Sequence, residues 1–204
     1  MSSTGDKLVL LFVENKEPPL KGDKVNCRRQ EKAAWARWQC EALTEGFMEF
    51  YLPTAVETEK LGNILGKLAQ SGDVFCFTGD LGAGKTLMSR GISLALGVAE
   101  EDVTSPTFAI MNVYEGEALE VRHFDLYRLN RPEELEDIGF DEYAGGDGVT
   151  LIEWAELFPD QLPEEYMQVT LLLDGAGRRA VLTANGERYE ELLQEVKQLA
   201  DFSD

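Results

Sequence analysis

A three-layer α/β fold around a mixed, mostly parallel central sheet is the architecture the sequence predicts. Three observations point to it. Short apolar runs of strand character alternate with segments whose apolar residues recur at helical spacing. One of those runs, Val74–Thr78, enters a glycine-rich loop that opens directly into a helix. Two later runs, Val169–Leu173 and Ala180–Thr183, flank a short connection and read as a hairpin, which adds antiparallel strands to a parallel centre.

Each element has its own signal. Met48–Leu52 is an apolar, strand-like run, and Thr58–Gln70 spaces Leu61, Ile64, Leu65 and Leu68 as one helical face. Val74–Thr78 reads as a buried strand, Gly79–Gly84 as a loop, and Lys85–Leu96 as a second helix stopped by Gly97. Thr107–Tyr114 reads as a strand, Glu115-Gly116 as a turn and Glu120–Leu126 as the next strand. Arg131-Pro132-Glu133-Glu134 opens a short helix with proline in its first turn. Val149–Ile152 is a strand that delivers Glu153 and Trp154 at its end. The hairpin turns across Asp174–Arg179, and Glu187–Leu199 has the pattern of an amphipathic helix. No internal repeat or low-complexity tract interrupts the series.

The chain has 204 residues, which suggests one domain with an appendage, and a net charge of −19. Residues 1–47 hold eight Lys/Arg against seven Asp/Glu, whereas residues 48–204 hold eleven against thirty-one. A body so acidic repels nucleic-acid phosphates, so any RNA in its biology is expected to be held by a partner. The apolar run Leu8–Val13 is far too short to span a bilayer, and Glu14, Lys16 and Glu17 follow it at once. A cytoplasmic location without membrane contact is therefore expected. Cys27, Cys40 and Cys76 are odd in number and lack metal or disulfide spacing, and His123 is the single histidine, which excludes a multi-histidine metal site. Residues 1–47 carry no chemical motif and form an N-terminal extension outside the domain of residues 48–204. The stretch Glu31–Thr44 has helical character. Two readings of the extension stay open: a genuine, disordered arm, or translation that starts at Met48. The intact mass of the native protein separates them.

Gly79-Asp80-Leu81-Gly82-Ala83-Gly84-Lys85-Thr86 fits G-x-x-x-x-G-K-[ST], the phosphate-binding loop. Glycines let successive backbone N–H groups curl around a phosphate without Cβ clashes. The helix that starts near Lys85 turns its positive end toward the same anion. Lys85 supplies a point charge for the β- and γ-phosphates, and Thr86 a hydroxyl for Mg²⁺. The fold class is accordingly P-loop NTPase-like, with ATP and Mg²⁺ as expected cofactors.

Such a loop needs a carboxylate at a neighbouring strand end. Asp125, in His123-Phe124-Asp125-Leu126-Tyr127-Arg128, and Glu153 both end apolar runs, and in a parallel sheet both emerge beside the loop. Thr104-Ser105-Pro106-Thr107 follows the loop's helix, and it reads equally as a γ-phosphate switch or as an ordinary proline turn. His123 shares a strand face with Asp125, which gives it a supporting role or a structural one. Trp154 reads equally as a stacking residue, for a base or a partner, or as core.

Read together and in order, GDLGAGKT at 79–86, VTSPTF at 103–108, HFDLYRL at 123–129 and LIEWAE at 151–156 resemble the bacterial TsaE family, formerly YjeE. The resemblance covers about residues 48–185. It implies a single α/β domain and an ATPase, weak alone, that works with TsaD and TsaB in threonylcarbamoyladenosine (t6A37) modification of tRNAs reading ANN codons. It implies that Lys85 and Thr86 contact phosphate and Mg²⁺, that Glu153 is the second Mg²⁺-associated acid, and that Asp125 is the Walker-B-type catalytic acid. It further implies that Thr104–Thr107 is a switch segment and that Thr58 and Arg178 lie near the base. Which acid touches the metal stays open. Two rival classes also remain. A small-molecule kinase would need an arginine-rich lid, yet Arg131 is the sole Lys/Arg of residues 131–160. A non-hydrolysing nucleotide-dependent binding module would take up ATP without releasing phosphate.

Overall fold

The structure is a computed structural model, and it describes residues 46–201. The stretch Glu31–Thr44 and nearly all of the extension 1–47 lie outside the described residues. Seven strands form one sheet: β1 (Phe47–Leu52), β2 (Val74–Thr78), β3 (Met111–Tyr114), β4 (Val121–Asp125), β5 (Val149–Glu153), β6 (Tyr166–Asp174) and β7 (Gly177–Asn185). Helices α1 (Ala55–Leu68), α2 (Lys85–Ala95), α3 (Glu133–Asp137), α4 (Phe140–Tyr143) and α5 (Glu187–Asp201) complete the elements, with short 3₁₀ turns between.

The strand order is β1-β7-β6-β2-β5-β4-β3. Neighbours β6, β2, β5 and β4 are mutually parallel, whereas β7, β1 and β3 join antiparallel. The sheet is thus mixed, with its parallel part confined to the four central strands. Alternation along those strands feeds two apolar cores. Phe75, Phe77, Val149, Leu151 and Val121 face α1, α2 and α5. Val74, Cys76, Ile152 and Phe124 face the short helices α3 and α4 through Leu135 and Phe140. That is the three-layer arrangement expected, and each fully buried large side chain contributes on the order of 1.5–3 kcal/mol.

Helices α1 and α2 meet through glycine. A Cβ on Gly62 would lie 2.3 Å from the Met88 carbonyl oxygen, and one on Gly91 would lie 2.3 Å from that of Glu59. Glycine inside a helix costs about 1 kcal/mol against alanine, and the close backbone approach offsets it. The contact seats α2, which begins at Lys85 and Thr86, closely against α1.

Two expected elements differ. The strand foreseen over Thr107–Tyr114 begins only at Met111. Thr107–Ile110 instead form a turn in which the Ile110 N–H donates to the Pro106 carbonyl at 2.6 Å and Ile110 takes φ +70°. The Ile110 carbonyl then accepts from the Asp125 N–H at 2.8 Å, so the turn closes over the end of β4. The hairpin connection foreseen over Asp174–Arg179 shrinks to Gly175-Ala176, because Asp174 pairs with Gly177 and Leu173 with Arg178. Arg178 is therefore a strand residue. Among the described residues no helix is long and apolar enough to cross a membrane.

Candidate functional site

The topology brings three strand ends together. Strands β2, β5 and β4 are neighbours, and their register places Phe77, Glu153 and Asp125 on one rung. Loop Gly79–Gly84 continues from β2 beside that rung. Gly79, Gly82 and Gly84 adopt φ of +131°, +80° and +107°, which L side chains rarely adopt. A Cβ on Gly79 would also lie 2.2 Å from the Leu171 carbonyl oxygen. Gly84 caps α2 without any side-chain hydrogen bond, leaving the first-turn N–H groups for an anion.

Lys85 is 4% exposed and folds back over its own loop. Its Nζ donates to the carbonyl oxygens of Gly79 at 2.7 Å and Asp80 at 3.1 Å. The same ammonium lies 3.7 Å from the Trp154 ring centroid. Burial pulls its pKa below the usual lysine range, and Glu153, Glu156, Asp125 and Asp80 oppose that shift. Trp154 reaches this position by taking φ +63° immediately after β5, a strained conformation that costs about 1–3 kcal/mol. Ile110 and Trp154, the two non-glycine residues of positive φ among those described, thus sit beside Asp125 and Glu153.

Both acids are buried and fully engaged. Glu153, 2% exposed, accepts from Thr86 Oγ1 on Oε2 at 2.9 Å and pairs through Oε1 with His123 Nε2 at 2.8 Å. Asp125 accepts from Thr107 Oγ1 on Oδ2 at 2.6 Å and from the Tyr127 N–H on Oδ1 at 3.1 Å. Thr107 Oγ1 also lies 2.7 Å from Ser105 Oγ. Arg128 Nε donates to the Thr107 carbonyl at 2.6 Å, and its guanidinium covers the ring of Phe108, which is 88% exposed. Tyr114 donates to the Thr104 carbonyl, and Asn112 reaches Thr104 Oγ1 at 3.2 Å. The segment Thr104–Thr107 is therefore tied directly to Asp125 on one side and to β3 on the other.

Arg178 and Thr58 flank the far side of the loop. Arg178 Nε donates to the Ala83 carbonyl at 2.8 Å. The Thr58 methyl packs against Gly84, while its hydroxyl bonds back to the Thr54 carbonyl of α1's N-terminus at 3.4 Å. Asp80 contributes its backbone to Lys85, and Leu81 and Gly82 form the exposed tip, with no Cβ contact within 4 Å at Gly82.

A family model, "Threonylcarbamoyl adenosine biosynthesis protein TsaE", matches residues 52–181. The chain belongs to the TsaE family. That match runs from before Thr58 to beyond Arg178 and so contains every residue of the site just described. A TsaE relative from Bacillus subtilis, named tRNA threonylcarbamoyladenosine biosynthesis protein, is 40% identical over 148 residues, covering 72% of this chain and 92% of the relative. One of the same name from Treponema pallidum is 40% identical over 131 residues, covering 64% and 96%. The crystal structure of Bacillus subtilis YdiB superposes with a TM-score of 0.64 at 33% identity, over 75% of this chain and 95% of that one.

Three features of this TsaE-family site were not legible as such in the sequence. Glu156 accepts from the Gly79 N–H at 3.3 Å, because the turn after Trp154 swings it back to the loop. Burial raises its pKa, and its second oxygen has no partner. The LIEWAE motif contained Glu156, but spacing alone gave it no role. Trp154 covers the loop lysine, a contact that depends on its left-handed backbone. His123 faces Glu153 and not its nearer neighbour Asp125. At the opposite end of the sheet, a cleft of about 350 Å³ is lined by Gly72, Asp73, Glu165, Arg188 and Tyr189 among others. Arg188 there is occupied by Asp73, at 2.8 and 3.1 Å, and by the Leu68 carbonyl at 3.0 Å.

Proposed function

We propose that this protein is an Mg²⁺-dependent ATPase of threonylcarbamoyladenosine (t6A37) synthesis in tRNAs reading ANN codons, acting in the cytoplasm with TsaD and TsaB. One observation carries the ATPase reading: a loop of three left-handed glycines, a buried lysine and two buried carboxylates converge on adjacent strand ends. The names of its relatives carry the pathway.

The donor set fits magnesium. Thr86 and Glu153 offer oxygen ligands side by side, as a small hard cation requires. Among the described residues no three His, Cys, Asp or Glu side chains form a metal cage. Mg²⁺ held jointly by one or two protein oxygens and substrate phosphates suits that arrangement. When bound, it would neutralise charge on the β- and γ-phosphates.

The chain's own groups divide the remaining work. The N–H groups of Gly82–Thr86 bind phosphate, and Lys85 exchanges the Gly79 and Asp80 carbonyls for phosphate oxygens. Asp125 lies beyond Glu153 on the same rung and orients the attacking water, accepting its proton as the oxygen bonds to the γ-phosphorus and the bond to the β–γ bridging oxygen breaks, so that ADP leaves with that oxygen. The Thr107 hydroxyl, bonded to Asp125, links that step to the switch segment. Arg178 and Thr58 border the base side. The acidic surface leaves tRNA to the partner proteins.

Phosphate release from ATP by the purified full chain, alone and with TsaB and TsaD, tests the proposal. Slow release that the pair stimulates is the expected result. A phosphorylated small molecule would indicate a kinase, and nucleotide uptake without release under any condition would indicate a binding module.

A further inference from the structure

Glu153 presents two oxygens, and each has one donor. Thr86 Oγ1 takes Oε2 at 2.9 Å, and His123 Nε2 takes Oε1 at 2.8 Å. A carboxylate accepts only, so the hydrogen on the second bond belongs to Nε2. Nδ1 is buried without a partner, so no acceptor favours a proton there and the Nε2–H tautomer satisfies the ring best. His123 is 1% exposed and sits two register positions back from the Asp125–Glu153 rung, opposite Leu151. It reaches the carboxylate diagonally across the strands. Packing alone does not require this geometry: the ring's aromatic neighbour Tyr114 is 6.3 Å away at a 56° tilt. An apolar side chain of similar volume would fill the same space, and buried polar pairs are often replaceable in that way without loss of stability.

We infer that His123 is the positioning residue of the candidate magnesium site, clamping Oε1 of Glu153 so that Oε2 alone faces Thr86 and the metal. Hydrogen-bond donors behind a ligating carboxylate fix its rotation and thereby the metal's place. The inference rests on the Mg·ATP reading given above. It adds a residue that touches neither nucleotide nor reacting atoms.

Calorimetric titration with ADP, across a magnesium series and in EDTA, tests it on full-length wild type, His123→Gln, His123→Leu and His123→Asn, with a thermal melt of each. Glutamine keeps an N–H donor near the position of Nε2, leucine removes the donor, and asparagine falls short of Oε1. In EDTA all four should bind ADP alike. His123→Leu and His123→Asn should need about ten- to a hundred-fold more Mg²⁺ for the same gain in affinity, and His123→Gln should stay close to wild type. His123→Asn carries the test if His123→Leu does not fold. Unchanged magnesium dependence in His123→Asn or His123→Leu would overturn the inference, as would an equal defect in His123→Gln. Wild type that takes up no nucleotide with magnesium would instead overturn the ATPase reading, and this inference with it.

Discussion

Asp125 and Glu153 are register partners on adjacent parallel strands, so two acids remote in sequence share one rung at the C-terminal edge of the sheet. Their attachments differ. Asp125 is bonded to Thr107 in the turn before β3, and Glu153 to Thr86 at the start of α2. That division underlies the proposed assignment of hydrolysis to Asp125 and of metal holding to Glu153.

Asp125→Asn should lower phosphate release about 100-fold or more, the usual worth of a positioned base. Nucleotide affinity, read by calorimetry, should change by less than about three-fold, because neither of the residue's donors, Thr107 and Tyr127, belongs to the glycine loop. Wild-type turnover in Asp125→Asn would remove Asp125 from the mechanism.

Lys85→Ala should abolish hydrolysis and weaken ATP binding at least about ten-fold, since charge-assisted hydrogen bonds contribute roughly 1.5–3 kcal/mol each. Trp154→Ala should have a smaller effect on affinity, about two- to ten-fold. It removes a cation–π contact of roughly 0.5–1 kcal/mol, the range for a partly exposed ring, and leaves the ammonium in place. A Trp154→Ala defect as large as that of Lys85→Ala would mean that the ring contacts the nucleotide itself.

Burial holds the Glu156 carboxyl above its ordinary range, with the Gly79 N–H opposing. The native state therefore keeps a proton that the unfolded chain has released. Stability attributable to this group is lost as pH rises from the ordinary carboxylate range through the raised value. In melts across an acidic-to-neutral series, Glu156→Gln should gain on wild type as pH rises, and the two should be nearest at the lowest pH. A difference in Tm that is independent of pH would acquit Glu156.

Gly91→Ala should destabilise the protein by about 1–3 kcal/mol, because its Cβ would meet the Glu59 carbonyl oxygen at 2.3 Å. For a domain of this size that is a fall in Tm of roughly 2–12 °C. An unchanged melt would show that α1 and α2 can separate freely, against the close seating of α2 on α1 inferred here.

Much of this protein was already written in local patterns. The strand–loop–helix from Val74 to Ala95 is specified by neighbours in sequence, so spacing and glycine placement revealed it. The same holds for the acids at the ends of β4 and β5, which mark where apolar runs stop. The strand foreseen over Thr107–Ile110 failed for the opposite reason: its propensity was overridden by bonds to Asp125, which only the folded chain brings near. Long-range pairing also decided that His123 faces Glu153, that Glu156 returns to Gly79, and that Trp154 covers Lys85. Sequence alone determined the loop between β2 and α2 and its glycines, because that turn is local to eight consecutive positions. Tertiary structure decided which carboxylate each of those residues meets, because strand order and register, fixed by burial of two distant cores, set the distances between them.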